Sequence, residues 1–190
     1  MATNTKTLIY DTFIELLEEK PFDKITVRDI VEKCNINRNT FYYHYADVYE
    51  LLDEIFRMEV SEINSPSPPG RRWLVGLIKL LESCYSNKKI INNICASRSY
   101  DYLESYLYKS GRKMMSEFVR EKTEDKDIDD ESLEFIISFF QYAVTGVISE
   151  WFRTGMRETP RLMLRRLYMV MDDIPSIIEK APLKKNEHNI

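Results

Sequence analysis

The sequence predicts an all-α protein, with an N-terminal three-helix unit built on a helix-turn-helix and a larger C-terminal helical bundle. Three observations predict it. Apolar residues recur at helical spacing along most of the chain. Glycine and proline, five and seven of 190 residues, are too scarce to interrupt long helices. Residues 26–52, TVRDIVEKCNINRNTFYYHYADVYELL, hold two short apolar-periodic segments on either side of a tight turn. The length suffices for one sizeable core or two small ones.

Taken in order, residues 5–20 read as an amphipathic helix, with Leu8, Ile9, Phe13, Leu16 and Leu17 on one side and Glu15, Glu18 and Glu19 elsewhere. Pro21 ends it. Thr26 is an N-cap with Asp29 in the capping-box position. The second helix runs to about Lys33, turning Val27, Ile30 and Val31 inward, and Asn35 stands where a left-handed residue is wanted. Asn37 caps a third helix over 38–44, and Asp47 caps a fourth that carries Leu51, Leu52, Ile55 and Phe56.

The run Ser65-Pro66-Ser67-Pro68-Pro69-Gly70 cannot be helical and suits a hinge. Beyond it, helices are predicted over 72–86, 88–96, 99–122, 131–155 and 160–173, the last opening on Thr159-Pro160. Gly111 predicts a weak point or bend. From Ala181 the chain reads as a frayed tail. The division is therefore 1–50 for the helix-turn-helix unit with helix 47–62 connecting, 63–180 for the bundle, and 181–190 for the tail. The smaller unit has too little core alone and is expected to lean on the larger through its fourth helix.

Composition excludes several classes. A net charge of −4 argues against a general polyanion binder. The first fifty residues carry six Lys/Arg against nine Asp/Glu, so a nucleic-acid face has to come from arrangement. No run of about 18 uncharged apolar residues and no apolar leader core is seen, which predicts a cytoplasmic protein off the membrane. Cys34, Cys84 and Cys95 read as reduced thiols. The triplet Asp125, Asp127, Asp129 begins like a calcium loop, but Asp130 and Ile136 fall where Gly and Glu are needed. The histidines are His44 and His188 alone, without zinc spacing. No nucleophile–base set or phosphate-binding glycine loop stands out. No catalytic residue, metal or cofactor is expected. Arg161, Arg165 and Arg166 read as a solvated helix face.

Within the helix-turn-helix, Ile36, Phe41 and Tyr45 fall where the third helix must be held, leaving Arg38, Asn39, Thr40, Tyr42, Tyr43 and His44 off the core side. Each suits DNA. Arg38 can fork onto guanine O6 and N7, and Asn39 can pair with adenine. Thr40 and Tyr42 offer hydroxyls, and His44 a ring N–H, to phosphate oxygens. Tyr43 offers a ring edge to a thymine methyl. Thr26 opens a helix N-terminus where a phosphate can sit, and Arg28 lies one turn in. An all-helical protein–protein adaptor, in which the motif is only a fold element, is the alternative.

Residues Thr7 to Phe56 resemble the DNA-binding domain of TetR-type transcriptional regulators. The matching parts are Thr26-Val27-Arg28-Asp29-Ile30, the turn ending at Asn37, Thr40-Phe41-Tyr42-Tyr43-His44-Tyr45, and the segment Asp47 to Leu52. The resemblance implies that Thr26, Arg28, Asn37, Arg38, Asn39, Thr40, Tyr42, Tyr43 and His44 face DNA. The chain departs from it in two places, the turn and the start of the fourth helix. Cys34-Asn35 replaces a frequent Ala-Gly, and Val48 stands where relatives place a phosphate-binding lysine, with Ala46 also uncharged. A shallow salt dependence of DNA binding is therefore expected.

Residues 131–155 carry an apolar stripe wider than one face, and Ala143 and Gly146 are small enough to admit a neighbouring helix. A helix-turn-helix reading two half-sites needs two copies. The expected dimer surface is Ile137, Phe140, Val144, Val147, Trp151, Leu164, Leu167 and Met171. Phe135 to Met171, with Gly146, Trp151, Gly155, Met156 and Thr159-Pro160, resembles a C-terminal class of the same family that includes dihydroxyacetone kinase operon regulators. It implies dimerisation through the last two long helices. Trp73, Tyr85, Tyr100, Tyr102, Tyr106, Phe118, Phe139 and Tyr142 offer aromatic surface to a small-molecule effector of unidentified chemistry. The function expected is a homodimeric DNA-binding repressor on a pseudo-palindromic operator, not an enzyme.

Overall fold

A computed structural model describes residues 5–63, 72–97, 100–124, 126, 128–171 and 176. The proline-rich run at 65–70, Asp125, Asp127 and the tail at 181–190 lie outside the described residues. The helices are α1 (Thr5–Glu19), α2 (Val27–Cys34), α3 (Arg38–His44), α4 (Val48–Ile63), α5 (Arg72–Ser86), α6 (Lys88–Cys95), α7 (Tyr100–Thr123), α8 (Asp130–Arg153) and α9 (Pro160–Met171), with a 3₁₀ turn at Phe22–Lys24 after α1.

The N-terminal unit closes around α1, which packs on α2, while α2 packs on α3. Ile9, Phe13 and Leu17 are fully buried with Phe22, Ile30 and Phe41. At about 1.5–3 kcal/mol for each large side chain taken out of water, this cluster is what holds so small a unit. The turn between α2 and α3 is a Schellman motif. Asn35 takes left-handed angles (φ 54°, ψ 45°), with Asn35 N–H on Glu32 O at 3.3 Å and Ile36 N–H on Val31 O at 3.0 Å. The same device stops α8. Gly155 (φ 75°) and the buried Met156 (φ 49°) are left-handed, and Met156 N–H reaches Trp151 O at 2.8 Å. The helix therefore ends at Arg153, two residues before the expected limit.

In the C-terminal unit α8 lies along α7 and touches α6, while α9 packs on α5. Gly111 lies within α7 and faces α8. A Cβ there would stand 3.0 Å from Thr145 Oγ1, so glycine permits the close approach of α7 and α8. Around it Gln141 Nε2 donates to Tyr108 O at 2.9 Å, and Arg112 bonds Ser138 and Glu134, which fixes the register of the two helices. Among the described residues α8 alone is long and apolar enough to cross a membrane. Part of its apolar character is used on α7 and α6, and it buries Gln141, Thr145 and Ser149 as well.

The two units meet through more than α4. Helix α1 and the 3₁₀ turn also lie on α6, and Asn93 Nδ2 donates to Leu17 O at 2.8 Å. A run of rings crosses the junction: Phe22 to Tyr49 at 5.0 Å, Tyr49 to Tyr102 at 5.7 Å, and Phe56 to Tyr106 at 4.9 Å.

Candidate nucleic-acid interface

Helix α3 is anchored by one residue and open on its other faces. Phe41 is fully buried, whereas Tyr42 is 54% and Tyr43 83% exposed. Tyr45, just past the helix, is buried, and burial raises its phenol pKa far above the usual range. Ile36 is half-buried against the same core. The expected split is observed for Phe41 and Tyr45 inside and for Arg38, Asn39, Tyr42 and Tyr43 outside, whereas Thr40 and His44, expected outside, are half-buried.

The outward residues differ in what they have left to offer. Arg38 and Asn39 are exposed, and Arg38 makes no side-chain hydrogen bond or ion pair among the described residues. Asn37 Oδ1 accepts from Thr40 N–H at 2.8 Å and from the Thr40 hydroxyl at 3.1 Å. Its amide NH2 remains a donor, but the one hydroxyl proton of Thr40 is engaged. Tyr43 packs edge-on against His44 at 5.0 Å and Tyr42 against Phe41 at 5.5 Å, which orients both exposed rings.

Helix α2 has the predicted capping box. Asp29 N–H reaches Thr26 Oγ1 at 3.2 Å, while the Thr26 hydroxyl and N–H both donate to Asp29 Oδ2, at 2.6 and 2.8 Å. Those bonds, and Lys20 at 2.9 Å, hold the Asp29 carboxyl at about 2. The anion position at this helix end is thus partly filled by the protein's own carboxylate, leaving the Val27 and Arg28 amides. Arg28 Nε is held by Glu32 at 2.7 Å, so only its two terminal nitrogens point onward.

The N-terminus of α4 is closed in the same way. Asp47 Oδ1 accepts from Tyr49 N–H at 2.8 Å and Glu50 N–H at 3.0 Å, and Glu50 Oε2 accepts from Ala46 N–H at 2.6 Å. The missing lysine at Val48 and the Asp47 cap were legible in sequence; the second carboxylate, Glu50, was missed, although Asp47 and Glu50 have capping-box spacing.

The expected dimer surface needs correction. Ile137, Phe140, Val144, Trp151, Leu167 and Met171 are buried within the chain itself, because the wide stripe of α8 packs on α7 and α6 and that of α9 on α5. Leu164 is half-buried and Val147 exposed. The outward apolar residues are Phe135 (71% exposed), Phe139 (56%) and Tyr142 on α8, and Leu162, Met169 and Val170 on α9. Their i, i+4, i+7 spacing on α8 is the signal that could have separated them.

A cavity of about 470 Å³ lies where the two units meet, lined from α1, α4, α5, α6, α7 and α8. Of the aromatic residues expected to frame a ligand, Tyr106 alone lines it. Trp73 packs on Phe118, Tyr85 stacks on Trp151, and Tyr100 donates to Ser149 O at 3.2 Å. Asp11 and Ile14 of α1, which line it, carry no local signal of that role. Among the described residues no group of three His, Cys, Asp or Glu side chains is arranged to hold a metal.

Comparison with known proteins bears on both units. Residues 9–55 match a family model described as bacterial regulatory proteins, tetR family, and residues 71–173 match a transcriptional regulator C-terminal region. The uncharacterized HTH-type transcriptional regulator YxbF of Bacillus subtilis (strain 168) is 31% identical over 99 residues, 48% of this chain. The HTH-type dhaKLM operon transcriptional activator DhaS of Lactococcus lactis subsp. lactis (strain IL1403) is 29% identical over 84 residues, 44% of this chain. The chain spans only 26% and 45% of the length of these two relatives. Among solved structures, the dihydroxyacetone kinase operon activator DhaS superposes with a TM-score of 0.72 at 19% identity, over 91% of this chain and 97% of that one. A TetR transcriptional regulator from Streptococcus agalactiae 2603V gives 0.58 at 22% identity, over 88% and 93%. At these identities the structural likeness is one of fold.

Proposed function

We propose, from the premise that this chain belongs to the TetR family of bacterial transcriptional regulators, that it binds a pseudo-palindromic operator as a homodimer, with α3 of each copy in the major groove. The observation that carries this reading is α3 itself: a seven-residue helix held by one buried ring, with Arg38, Asn39, Tyr42 and Tyr43 all turned to solvent. A helix whose only task was to complete a core would not keep four such side chains outside it.

On this reading Arg38 and Asn39 read base edges, Tyr43 meets a thymine methyl, and Tyr42, His44 and the Asn37 amide bond phosphates. Thr26 serves chiefly as a cap and Thr40 chiefly holds the Asn37 cap, because their hydroxyl protons are already donated. Arg28 reaches the backbone through its terminal nitrogens. Residues 1–50 make the DNA-reading unit, α4 connects, and 63–180 carry dimerisation and effector response. The dimer forms through the outward residues of α8 and α9, with Phe139, Tyr142, Val147 and Met169 at its centre. The cavity between the units receives a small molecule that alters operator affinity. The protein works in the cytoplasm, off the membrane.

Repression follows if the operator overlaps a promoter. Activation is a second reading, favoured by the name of one relative, the dhaKLM operon transcriptional activator DhaS. Selection of bound sites from a genomic DNA pool tests the whole proposal. It is expected to return an inverted repeat with half-sites about one helical turn or a multiple of it apart, and its position relative to the promoter separates the two signs of control. The paired variant Arg38→Ala, Tyr42→Phe should lose the selected DNA while keeping its helical content and dimer mass. An unenriched pool, or full retention by that variant, would sink the proposal in favour of a protein–protein adaptor.

A further inference from the structure

The cavity at the junction has a chemistry of its own. Most of its wall is hydrocarbon or ring, including Ile14, Leu80, Ile91, Leu107 and Phe152. Its volume, about 470 Å³, falls in the range of small-molecule sites. The charged residues that line it are Asp11 and Glu15, one helical turn apart on α1, and no Lys, Arg or His joins them. Glu15 shares Lys33 with Glu19, whereas Asp11 makes no side-chain hydrogen bond or ion pair among the described residues. Tyr10 and Tyr106 line the same space, and phenol rings attract cations at their faces.

We propose that this cavity binds a cationic amphiphile: an apolar body within the wall and one amine or quaternary ammonium head at Asp11 and Glu15. An anionic amphiphile would set its head against Asp11, which has no ion-pair partner among the described residues, and against Glu15, whose Lys33 is shared with Glu19. The proposal rests on the regulator reading above and gives its effector a chemical class. The site also spans the junction. Its wall includes α1 of the DNA-reading unit and α5 to α8 of the bundle, so an occupant ties the two units at one relative angle. A ligand that favours one angle over another changes operator affinity, and operator changes ligand affinity by the same factor.

Titration calorimetry on the full chain with decyltrimethylammonium, decanol and decanoate, all below micelle formation, tests this. The expected result is one saturable site per chain, with the ammonium tightest, the alcohol weaker and decanoate weakest. Each carboxylate contributes up to about fivefold, as a solvent-reached ion pair does. The double variant Asp11→Asn, Glu15→Gln, at two exposed positions, should bring ammonium and alcohol together. Leu80→Trp and, separately, Ser110→Phe should fill the cavity and abolish binding of all three, with folding checked by circular dichroism. Decanoate binding as tightly as the ammonium, no saturable site for any probe, or an ammonium preference that survives the double variant would each overturn the proposal. Operator retention without probe is measured alongside. Its loss would count against the regulator reading, whereas intact retention with no ammonium site would count against this inference alone.

Discussion

Gly111 offers a direct test of how tightly α7 and α8 are packed. Replacing an interior helical glycine by alanine gains about 1 kcal/mol where space allows. Here the new Cβ falls 3.0 Å from Thr145 Oγ1 and 4.0 Å from Gln141 Cγ, and Thr145 is buried. Its hydroxyl has a second rotamer open to it in a helix, so it can yield by a few tenths of an ångström at a cost near the gain. Gly111→Ala is therefore expected to leave stability within about 0.5 kcal/mol of the parent. Gly111→Val has no such escape and should lose about 2 kcal/mol to overpacking. In a Thr145→Ala background the obstruction is gone, and Gly111→Ala should then recover close to the full 1 kcal/mol, a coupling of about 1 kcal/mol between the two sites. Urea unfolding of the four proteins of the cycle reads this directly, provided the slopes agree. A Gly111→Ala gain of the full amount with Thr145 in place, and additivity across the cycle, would refute the close approach.

Three further outcomes follow from the sites described. Val48→Lys should steepen the log–log salt dependence of operator binding by about 0.9 per subunit, and Glu50→Gln, which keeps an acceptor for Ala46 N–H, should tighten binding about two- to fivefold at low salt and not at high salt; unchanged slopes and affinities would place α4 away from the phosphates. The Asp29 carboxyl lies below its unfolded value because of the Thr26 hydroxyl and Lys20. Its contribution is thus complete above about pH 4 and lost as pH falls through about 2, and after discounting for the water that reaches it this amounts to about 1 kcal/mol. Acid titration of stability should show that loss in the parent and not in Asp29→Asn. Phe139→Asp should raise the dimer dissociation constant at least tenfold, the equivalent of about 1.5 kcal/mol, in sedimentation at unchanged helical content, whereas Ile137→Asp should unfold the chain; equal effects at both positions would contradict the inward–outward division of α8.

What could be read from the sequence was what local chemistry decides. Thr26 with Asp29, Asn35 in its left-handed turn and Asn37 ahead of α3 each act on backbone within four residues, so the bounds of α2 and α3 came out within a residue. What depends on distant neighbours did not. A stripe wider than one face cannot say which side meets the chain's own helices, so Phe140 was expected on the dimer surface and Phe139 in a pocket, whereas Phe140 is in the core and Phe139 is exposed. Gly111 looks the same in sequence whether it bends a helix or admits another. Asp11 and Ile14 join a cavity only because α1 folds back near α6 and α7. The donors at α3 were identified by residue type, but which hydroxyl protons remain available depends on bonds such as that from Thr40 to Asn37.

The carboxylates seated on the first turns of α2 and α4 have a bearing on how such a protein would find one address in a chromosome. A reader that clings to every phosphate spends its time on the millions of wrong sequences. On the proposed reading, Asp29, Asp47 and Glu50 occupy helix ends that would otherwise be open to the phosphates of any duplex. Random DNA would then be let go quickly. Residence would lengthen only where Arg38 and its neighbours meet matching base edges.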